Sequence, residues 1–249
     1  MPIALVYTSF LCRSIFLALN TTMLESTSFP VSYNSHCESS TVKRIGQDMR
    51  GIVDYNFNRQ GFRADLDYDH NEDNSVAYFG NLYASAVGIR WQDGYAMKTC
   101  AKVQMKCYNF SQGCAGVDNN EIVRTVKHIK EMQDFKPRYY VIQFCELERR
   151  FSVKTQGLRL HTNKQDNIDN FVQVFLDLEK ILEGEKWCFF GIDHAMNHSI
   201  PKHILDHKNC FCWNPVIIDK ILQGIAGEKW HAMIAYGLNM RIKNDLALA

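Results

Sequence analysis

Two stretches of the chain repeat apolar residues at the spacing of an amphipathic helix. In the first, Ile122, Val126 and Ile129 fall on one side, and basic residues occupy most of the other side. The residues just before it, Asp118 to Glu121, resemble a capping box with aspartate as the cap. The second stretch runs from about Ile168 to Leu182, and the glycine two residues beyond ends it. The pattern therefore predicts two helices that each bury one side.

Alternation of apolar and polar residues predicts strands elsewhere. Residues 82–91 and 95–108 flank an Asp-Gly dipeptide, and in the second run nearly every other residue is apolar. Asp-Gly between two such runs is the strongest short-range sign of a β-hairpin. Apolar runs after Pro137 and over residues 151–160 predict further strands. The chain is thus expected to form a hairpin followed by additional strands.

The tetrapeptide Gly-Glu-Lys-Trp occurs twice, within residues 180–190 and again within residues 220–234. Both passages predict an amphipathic helix that ends at a glycine and is followed by an apolar strand. Between them, a helix is expected to begin at Asn214-Pro215, because proline fits the first turn of a helix. The sum of these elements predicts an α+β fold, a sheet with helices laid on it, in one domain over residues 21–249.

Residues 1–20 form an apolar arm in front of this domain. Arg13 interrupts the apolar run and no basic residue precedes it, so the arm fits neither a signal peptide nor a membrane-spanning helix. As a helix it leaves much apolar surface exposed. We therefore expect an N-terminal helix that a partner chain covers, and no membrane as a partner.

Composition excludes some classes of function. The formal net charge of the 249 residues is +1, so charge alone predicts no general attraction to nucleic acid. The nine cysteines are odd in number and lack the short spacings of a disulfide framework. They are typical of buried thiols in a reducing compartment. Disulfides that form late or between chains are kept as an alternative. The fourteen glycines form no phosphate-binding motif.

Histidines and cysteines gather between residues 194 and 212 and raise the question of zinc. His203 and His207 are four residues apart on a predicted short helix, and Cys210 and Cys212 follow. However, Cys-x-Cys is a poor chelating pair, and no His-Glu-x-x-His motif supplies a general base. The preferred interpretation is that there is no metal site, and a zinc-binding module is kept as an alternative.

Two cysteines partly match the signature of a caspase nucleophile. Cys145 follows a predicted strand in a Gln-x-Cys context, and Cys114 lies in "QGCAG". Such a nucleophile needs a histidine within reach to take its proton. For Cys145, His128 is too close in sequence and His70 too far, whereas His70 is suitably spaced from Cys114 but lies in a polar turn. A cysteine hydrolase is kept as a second alternative, and no catalytic residue is assigned.

Several segments, taken in order, resemble the cypovirus polyhedrins, the matrix proteins of insect-virus occlusion bodies. They are the turn "WQDG", the helix "NNEIVRTVKHIKEM", the strand entry "KPRYYVIQF" and the helix "NIDNFVQVFLDLEKIL". The resemblance implies an α-β-α sandwich with a projecting N-terminal helix, assembled as homotrimers that pack into crystals. It places the crystals in the cytoplasm of the infected host cell, where they embed virus particles. The crystals are expected to dissolve in the alkaline larval midgut.

The resemblance also implies a structural protein that is not an enzyme. No cofactor is required, although some members of the family bind nucleotides. The expected partners are copies of the chain itself and virus particles, with no specific nucleic acid. Net charge near zero favours close self-association. Lys and Tyr titrate near pH ~10 when unperturbed, so alkali makes the chain anionic and drives the packed copies apart. The candidate tyrosines for this titration are Tyr83, Tyr95, Tyr108, Tyr139 and Tyr140.

Overall fold

The computed structural model describes residues 42–44, 53–55, 58, 62–64, 68, 73–86, 89–111, 117–132, 135–152, 157–192, 200–215, 220–222 and 225–247. The strands, in chain order, are β1 (Val42–Arg44), β2 (Val53–Tyr55), β3 (Ser75–Phe79), β4 (Lys106–Asn109), β5 (Tyr139–Phe144), β6 (Arg149–Ser152), β7 (Gly157–Leu160), β8 (Trp187–Gly191), β9 (Cys210–Trp213), β10 (Lys220–Leu222) and β11 (Ile225–Ala226). The helices are α1 (Tyr95–Val103), α2 (Asn119–Glu131), α3 (Lys164–Ile181), α4 (Lys202–Leu205) and α5 (Glu228–Leu246).

A parallel sheet of five strands lies at the centre, in the order β4-β3-β5-β8-β9. Its three middle strands are buried at every residue, as strands with both faces covered have to be. Because neighbouring strands are parallel, the chain has to cross a face of the sheet between them, and helices supply most of these crossings. Separate antiparallel pairs join β1 to β2, β6 to β7 and β10 to β11.

Helices cover both faces of the sheet. On one face, Tyr78 and Phe190 pack with Trp230 of α5 in an apolar cluster that also includes buried residues of α1. On the other face, Phe144 contacts Phe171 of α3, and α2 packs beside α3. The predicted sandwich of a sheet between helices is confirmed, and its parallel strands make it an α/β sandwich. The N-terminal helix predicted for residues 1–20 lies outside the described residues.

The hairpin predicted around Asp93-Gly94 is wrong, because residues 95–103 form helix α1. The buried residues of α1 are one or three positions apart, as one side of a helix requires: Tyr95, Ala96, Thr99, Cys100 and Val103. Tyr95, Thr99 and Val103 are four positions apart, so they also fit the alternation of a strand. The sequence therefore supports both assignments. The pairing of β3 with β4 fits the helix. The two strands are parallel, so the chain between them has to cross a face of the sheet, and a helix supplies that crossing.

The two predicted amphipathic helices are confirmed as α2 and α3. Asp118 caps α2, since its carboxylate accepts a hydrogen bond from the Glu121 backbone N–H at 2.8 Å. The three apolar residues predicted to face inward on α2 are all buried. Beyond α3, Gly184 adopts a φ of +81°, a conformation that glycine reaches without strain. The strand predicted after Pro137 is confirmed as β5. Of the predicted strand over residues 151–160, residues 151–152 belong to β6 and residues 157–160 to β7.

The two Gly-Glu-Lys-Trp passages differ in structure. The first follows α3 and leads into β8, as predicted. The second does not return to the sheet, because Gly227 caps helix α5 and Trp230 lies in its first turn. The helix predicted from Asn214-Pro215 is also wrong where it reaches residues 220–222, which form β10. Among the described helices, none is both long and apolar enough to cross a membrane.

Candidate functional site

The order of the strands reverses at β3. From β3 the chain first adds β4 on one side and then returns to add β5 on the other side. The loops that follow β3 and β5 therefore diverge at the carboxyl edge of the sheet. Open parallel sheets bind ligands in the crevice at such a switch point, so the fold predicts a site between these two loops.

Asn81 lies two residues beyond β3, and its side chain is held in one orientation. Its Oδ1 atom accepts hydrogen bonds from the Tyr83 backbone N–H at 3.1 Å and from Gln143 Nε2 at 2.9 Å. The reverse orientation of the amide would set an N–H₂ group against these two donors, so the hydrogen bonds assign its direction. The amide of Asn81 is thus fixed by its own loop and by β5.

Three buried polar atoms at this edge lack a hydrogen-bond partner among the described residues. They are Asn81 Nδ2, Gln143 Oε1 and Ser111 Oγ. Asn81 and Ser111 are 1% and 3% exposed. An unpaired buried polar group costs roughly 1–3 kcal/mol, so such groups are uncommon unless another molecule pairs with them. Their position at the switch point makes this edge of the sheet the candidate site.

Gly80 lets the loop after β3 lie directly against Gln143. A Cβ atom at Gly80 would stand 2.7 Å from the Cβ of Ala84 and 3.0 Å from the Cβ of Gln143. Neither neighbour is the flexible end of a long side chain, so a larger residue would push the loop away from β5. The glycine therefore brings the Asn81 amide within reach of Gln143.

A second amide joins β4 to the same loop. Asn109 donates from Nδ2 to the carbonyl of Ala84 at 2.6 Å, and its Oδ1 accepts from the Ser111 N–H at 2.9 Å. The hydroxyl of Tyr68 donates to the Asn109 carbonyl at 2.7 Å and accepts from its N–H at 2.9 Å. These contacts hold Ser111 at the carboxyl edge, beside the loop that carries Asn81.

The segment after β5 adds a partly buried ion pair. Arg149 Nε lies 2.7 Å from Glu146 Oε2, although the N–H direction falls outside hydrogen-bond geometry, and Arg149 Nη2 donates to Oε1 at 3.2 Å. Burial raises the pKa of Tyr83 to about 12, and the nearby Glu146 carboxylate adds to the rise while Arg149 opposes it. Tyr83 therefore stays a neutral phenol at neutral pH, within the electrostatic influence of Glu146 and Arg149.

Cys145 is a structural thiol rather than a nucleophile. It directly follows β5, is completely buried, and its Sγ lies 3.2 Å from Asn119 Oδ1 and 3.5 Å from the Val117 carbonyl. Burial raises the pKa of the Cys145 thiol, and the Glu146 carboxylate raises it further. A thiol that stays protonated is a poor nucleophile, so the structure does not support Cys145 in that role. The other candidate, Cys114, lies outside the described residues.

The four candidate zinc ligands do not form one site. His203 is exposed on α4, whereas His207 Nε2 pairs with Glu179 at 3.0 Å and its ring packs on the α3 side of the sheet. Cys210 and Cys212 lie on β9, and Cys212 packs against the cluster on the opposite, α5 side. In the described part of the chain, no three His, Cys, Asp or Glu side chains are grouped to hold a metal.

The tyrosines that the sequence suggests for alkaline titration all lie in the core: Tyr83, Tyr95, Tyr108, Tyr139 and Tyr140. Burial raises the pKa of Tyr140 to about 12, as it does for Tyr83, and it also raises the pKa of Tyr95 and Tyr139. In the folded chain these four phenols therefore stay neutral at the pH where exposed tyrosines ionise.

No protein-family model matches the sequence, and no curated protein is significantly similar to it. Solved structures do match the fold. A family two carbohydrate esterase from Clostridium thermocellum, solved in complex with cellohexaose, has a TM-score of 0.51 at 10% identity, over 72% of this chain and 66% of that chain. An acetyl xylan esterase from the rumen bacterium Butyrivibrio proteoclasticus has a TM-score of 0.49 at 11% identity, over 71% of this chain and 65% of that chain.

A psychrotrophic esterase from Pseudoalteromonas sp. has a TM-score of 0.48 at 12% identity, over 70% of this chain and all of that chain. The chain thus spans about two thirds of the length of the first two esterases. At 10% identity, the match to the Clostridium thermocellum esterase shows a shared fold.

The resemblance to the cypovirus polyhedrins is wrong. The fold is shared with a carbohydrate esterase, and the "WQDG" turn leads into a helix instead of a hairpin strand. The prediction of a non-enzymatic matrix protein of viral occlusion bodies is wrong for the same reason. No contact or comparison tests the homotrimer, virus particles as partners, the bound nucleotide or the location in host cytoplasm. These four stay predictions.

The residues that form the switch-point site are absent from the candidates that the sequence suggests. Asn81, Ser111 and Gln143 belong to no recognised motif, and each lies at the end of a different strand. One local signal points to Asn81, because the apolar run Ser75–Phe79 stops at Gly80, as a buried strand stops at a tight loop. The grouping of the three residues follows from the order of the strands.

Proposed function

We propose that the chain is a hydrolase of acyl esters in which Asn81 donates a hydrogen bond to the ester carbonyl oxygen. When a nucleophile adds to an ester, negative charge develops on that oxygen, and a donor already in position lowers the barrier. The observation that carries the proposal is the Asn81 amide, which is buried, fixed by two hydrogen bonds and unpaired at Nδ2.

Ser111 supplies a second donor under this proposal. Its hydroxyl is buried and unpaired, and the Asn109 side chain holds its backbone at the end of the neighbouring strand β4. Serine hydroxyls and asparagine amides are both used as donors to the developing oxyanion in acyl transfer. We assign no attacking nucleophile among the described residues.

The polar wall formed by Tyr83, Glu146 and Arg149 suits the alcohol part of the substrate. It includes a phenol, a carboxylate and a guanidinium, carried by the chain segments that follow β3 and β5. Hydroxyl-rich molecules can both donate to and accept from such a set. The shared fold with a carbohydrate esterase supports acylated carbohydrates as the first substrate class to test.

The test is the release of carboxylic acid from esters by the purified full-length chain. Acetylated cello- and xylo-oligosaccharides and p-nitrophenyl acetate form the substrate panel. Asn81→Ala is expected to lower kcat by about 10²–10³-fold, the range observed when one oxyanion donor is removed. Asn74→Ala is the matched control, because Asn74 is exposed at the amino end of β3 and its side chain donates, within the described part of the chain, to the Gln104 carbonyl.

The control variant is expected to keep the kcat of the parent chain. Failure of the folded parent chain to release acid from any ester of the panel would overturn the proposed function. Full activity of Asn81→Ala would leave a hydrolase but remove Asn81 from its site.

A further inference from the structure

Arg63 holds the backbone of the loop that carries Asn81. Its guanidinium is buried and donates to the carbonyl of Ser85 at 3.0 Å, to that of Ile89 at 2.7 Å and also to that of Ala86. All three carbonyls belong to the segment between β3 and α1. One side chain from the part of the chain before the sheet thus pairs with three backbone carbonyls of this loop.

The loop needs such support because its backbone is under local strain. Ala86 has a φ of +56°, in the left-handed region, which costs a residue other than glycine about 1–2 kcal/mol. Its Cβ is also packed tightly, since a Cβ atom at Gly94 would stand only 2.7 Å away. A conformation of this kind persists only where surrounding contacts determine it. The hydrogen bonds from Arg63 to the carbonyls of Ser85 and Ala86 are such contacts.

Arg63 is itself fixed from the other side. Its guanidinium carbon lies 5.9 Å from the centroid of the Trp91 ring, within the range of a cation–π contact. Trp91 is buried and begins the short 3₁₀ turn that precedes α1. The guanidinium therefore links the loop after β3 to the start of the next helix, and neither can shift without disturbing the other.

From these contacts we infer that Arg63 is a positioning residue, which sets the loop so that the Asn81 amide faces the switch point before substrate binds. This inference rests on the proposed function. Arg63 acts through the loop backbone and does not touch the ester. A planar guanidinium can serve three carbonyls at fixed angles, whereas the ammonium group of a lysine is a compact point charge with a different reach.

The kinetic test compares Arg63→Lys and Arg63→Met with Arg90→Met in ester hydrolysis. Arg90 is the matched control, because its side chain is 72% exposed and pairs with Asp93 at 2.7 Å just before α1. Arg63→Lys is expected to lower kcat by about tenfold with KM within about twofold, since small displacements of a positioned group cost rate more than binding. The kcat of Arg63→Met is expected to fall further, and the kcat of Arg90→Met is expected to match that of the parent chain.

A purely structural role has a different signature. It would lower the thermal midpoint of unfolding, while the fraction that stays folded would keep the kcat of the parent chain. A folded Arg63→Lys variant with the parent kcat would overturn the inference. Where Arg63→Met does not fold, the lysine variant decides alone.

Hydrogen–deuterium exchange separates this inference from the proposed function. The inference expects the amides of residues 83–86 and 89 to exchange about tenfold faster in Arg63→Lys, with the amides of α3 unchanged, because only the loop loses its support. Unchanged exchange in a variant of an active hydrolase would refute the inference and leave the function standing. Faster exchange in a chain that hydrolyses no ester would refute the function and leave Arg63 as the residue that fixes this loop.

Discussion

Single residues of this chain fall into two groups according to how their buried polar atoms are paired. The thiol of Cys145 contacts the Asn119 amide oxygen and the Val117 carbonyl, so it serves the packing behind β5. Asn81 and Ser111 each hold an unpaired polar atom at the carboxyl edge of the sheet. Position and pairing together, rather than residue type, distinguish the candidate site from the core.

Two buried tyrosines make a matched test of this distinction. The hydroxyl of Tyr95 has no hydrogen-bond partner among the described residues, whereas that of Tyr139 donates to the Asp245 carboxylate. Tyr95→Phe is expected to leave the free energy of unfolding unchanged or to raise it by up to about 1 kcal/mol, and Tyr139→Phe to lower it by about 1.5–3 kcal/mol. Urea denaturation measures the free energy of unfolding of both variants. A larger loss of stability in Tyr95→Phe than in Tyr139→Phe would contradict the assigned pairing.

Cys145 provides a second prediction at this scale. Because burial raises the pKa of its thiol and the side chain is inaccessible, iodoacetamide at pH 8 is expected not to label Cys145 in the folded chain. The same reagent should label it fully in urea, and peptide mass spectrometry reads out both states. Labelling of the folded chain at the rate of an unfolded control would show that the thiol is reactive.

At the scale of elements, the sequence predicts the helices whose signals are local. The cap Asp118 and the apolar spacing of α2 are both read from neighbouring residues, and the structure confirms them. Helix α1 is missed, because Tyr95, Thr99 and Val103 satisfy the strand period and the helix period alike. Only the parallel pairing of β3 with β4 separates the two, and that pairing is not a local property.

The repeated tetrapeptide shows the same limit. Gly184 follows a helix and takes a φ of +81°, and the tryptophan three residues later begins β8. Gly227 takes an extended conformation with a φ of −90° and precedes helix α5. Four identical residues therefore end one helix and begin another, because the segments before and after them differ in the partners they find.

The cap of α2 yields a prediction about stability. Asp118→Ala removes the acceptor for the Glu121 N–H and is expected to lower the free energy of unfolding by about 1 kcal/mol. Asp177→Ala is the control, because Asp177 is exposed within α3 and, among the described residues, accepts from the Gln173 side chain. Thermal unfolding of both variants measures the difference. Equal midpoints for the two would contradict the role of the cap.

At the scale of the whole molecule, the candidate site is a product of topology. Asn81, Ser111 and Gln143 come from three strand ends that are far apart in sequence, and they lie at one edge of the sheet because β3 lies between β4 and β5. Sequence patterns predict that there is a sheet between helices, but they do not order its strands. The site could therefore not be assembled from motifs.

The buried tyrosines predict how the whole fold responds to alkali. Burial raises the pKa of Tyr83 and Tyr140 to about 12 in the folded chain, above the ordinary value near ~10. The unfolded chain therefore loses these protons first. The free energy of unfolding is expected to be steady with respect to these groups below pH ~10 and to fall as pH rises from there through about 12. Urea denaturation at pH 8 to 12 measures this, and a constant stability to pH 12 would contradict it.

The most direct test of the central claim is the kcat for ester hydrolysis by Asn81→Asp, measured on protein with a native circular dichroism spectrum. The carboxylate keeps an acceptor for the Tyr83 N–H and for Gln143 Nε2, but it has no N–H₂ group to give to an oxyanion. We expect kcat to fall by at least about 10²-fold, while Asn74→Asp hydrolyses the ester as the parent chain does. Hydrolysis by Asn81→Asp at the parental rate would contradict the account.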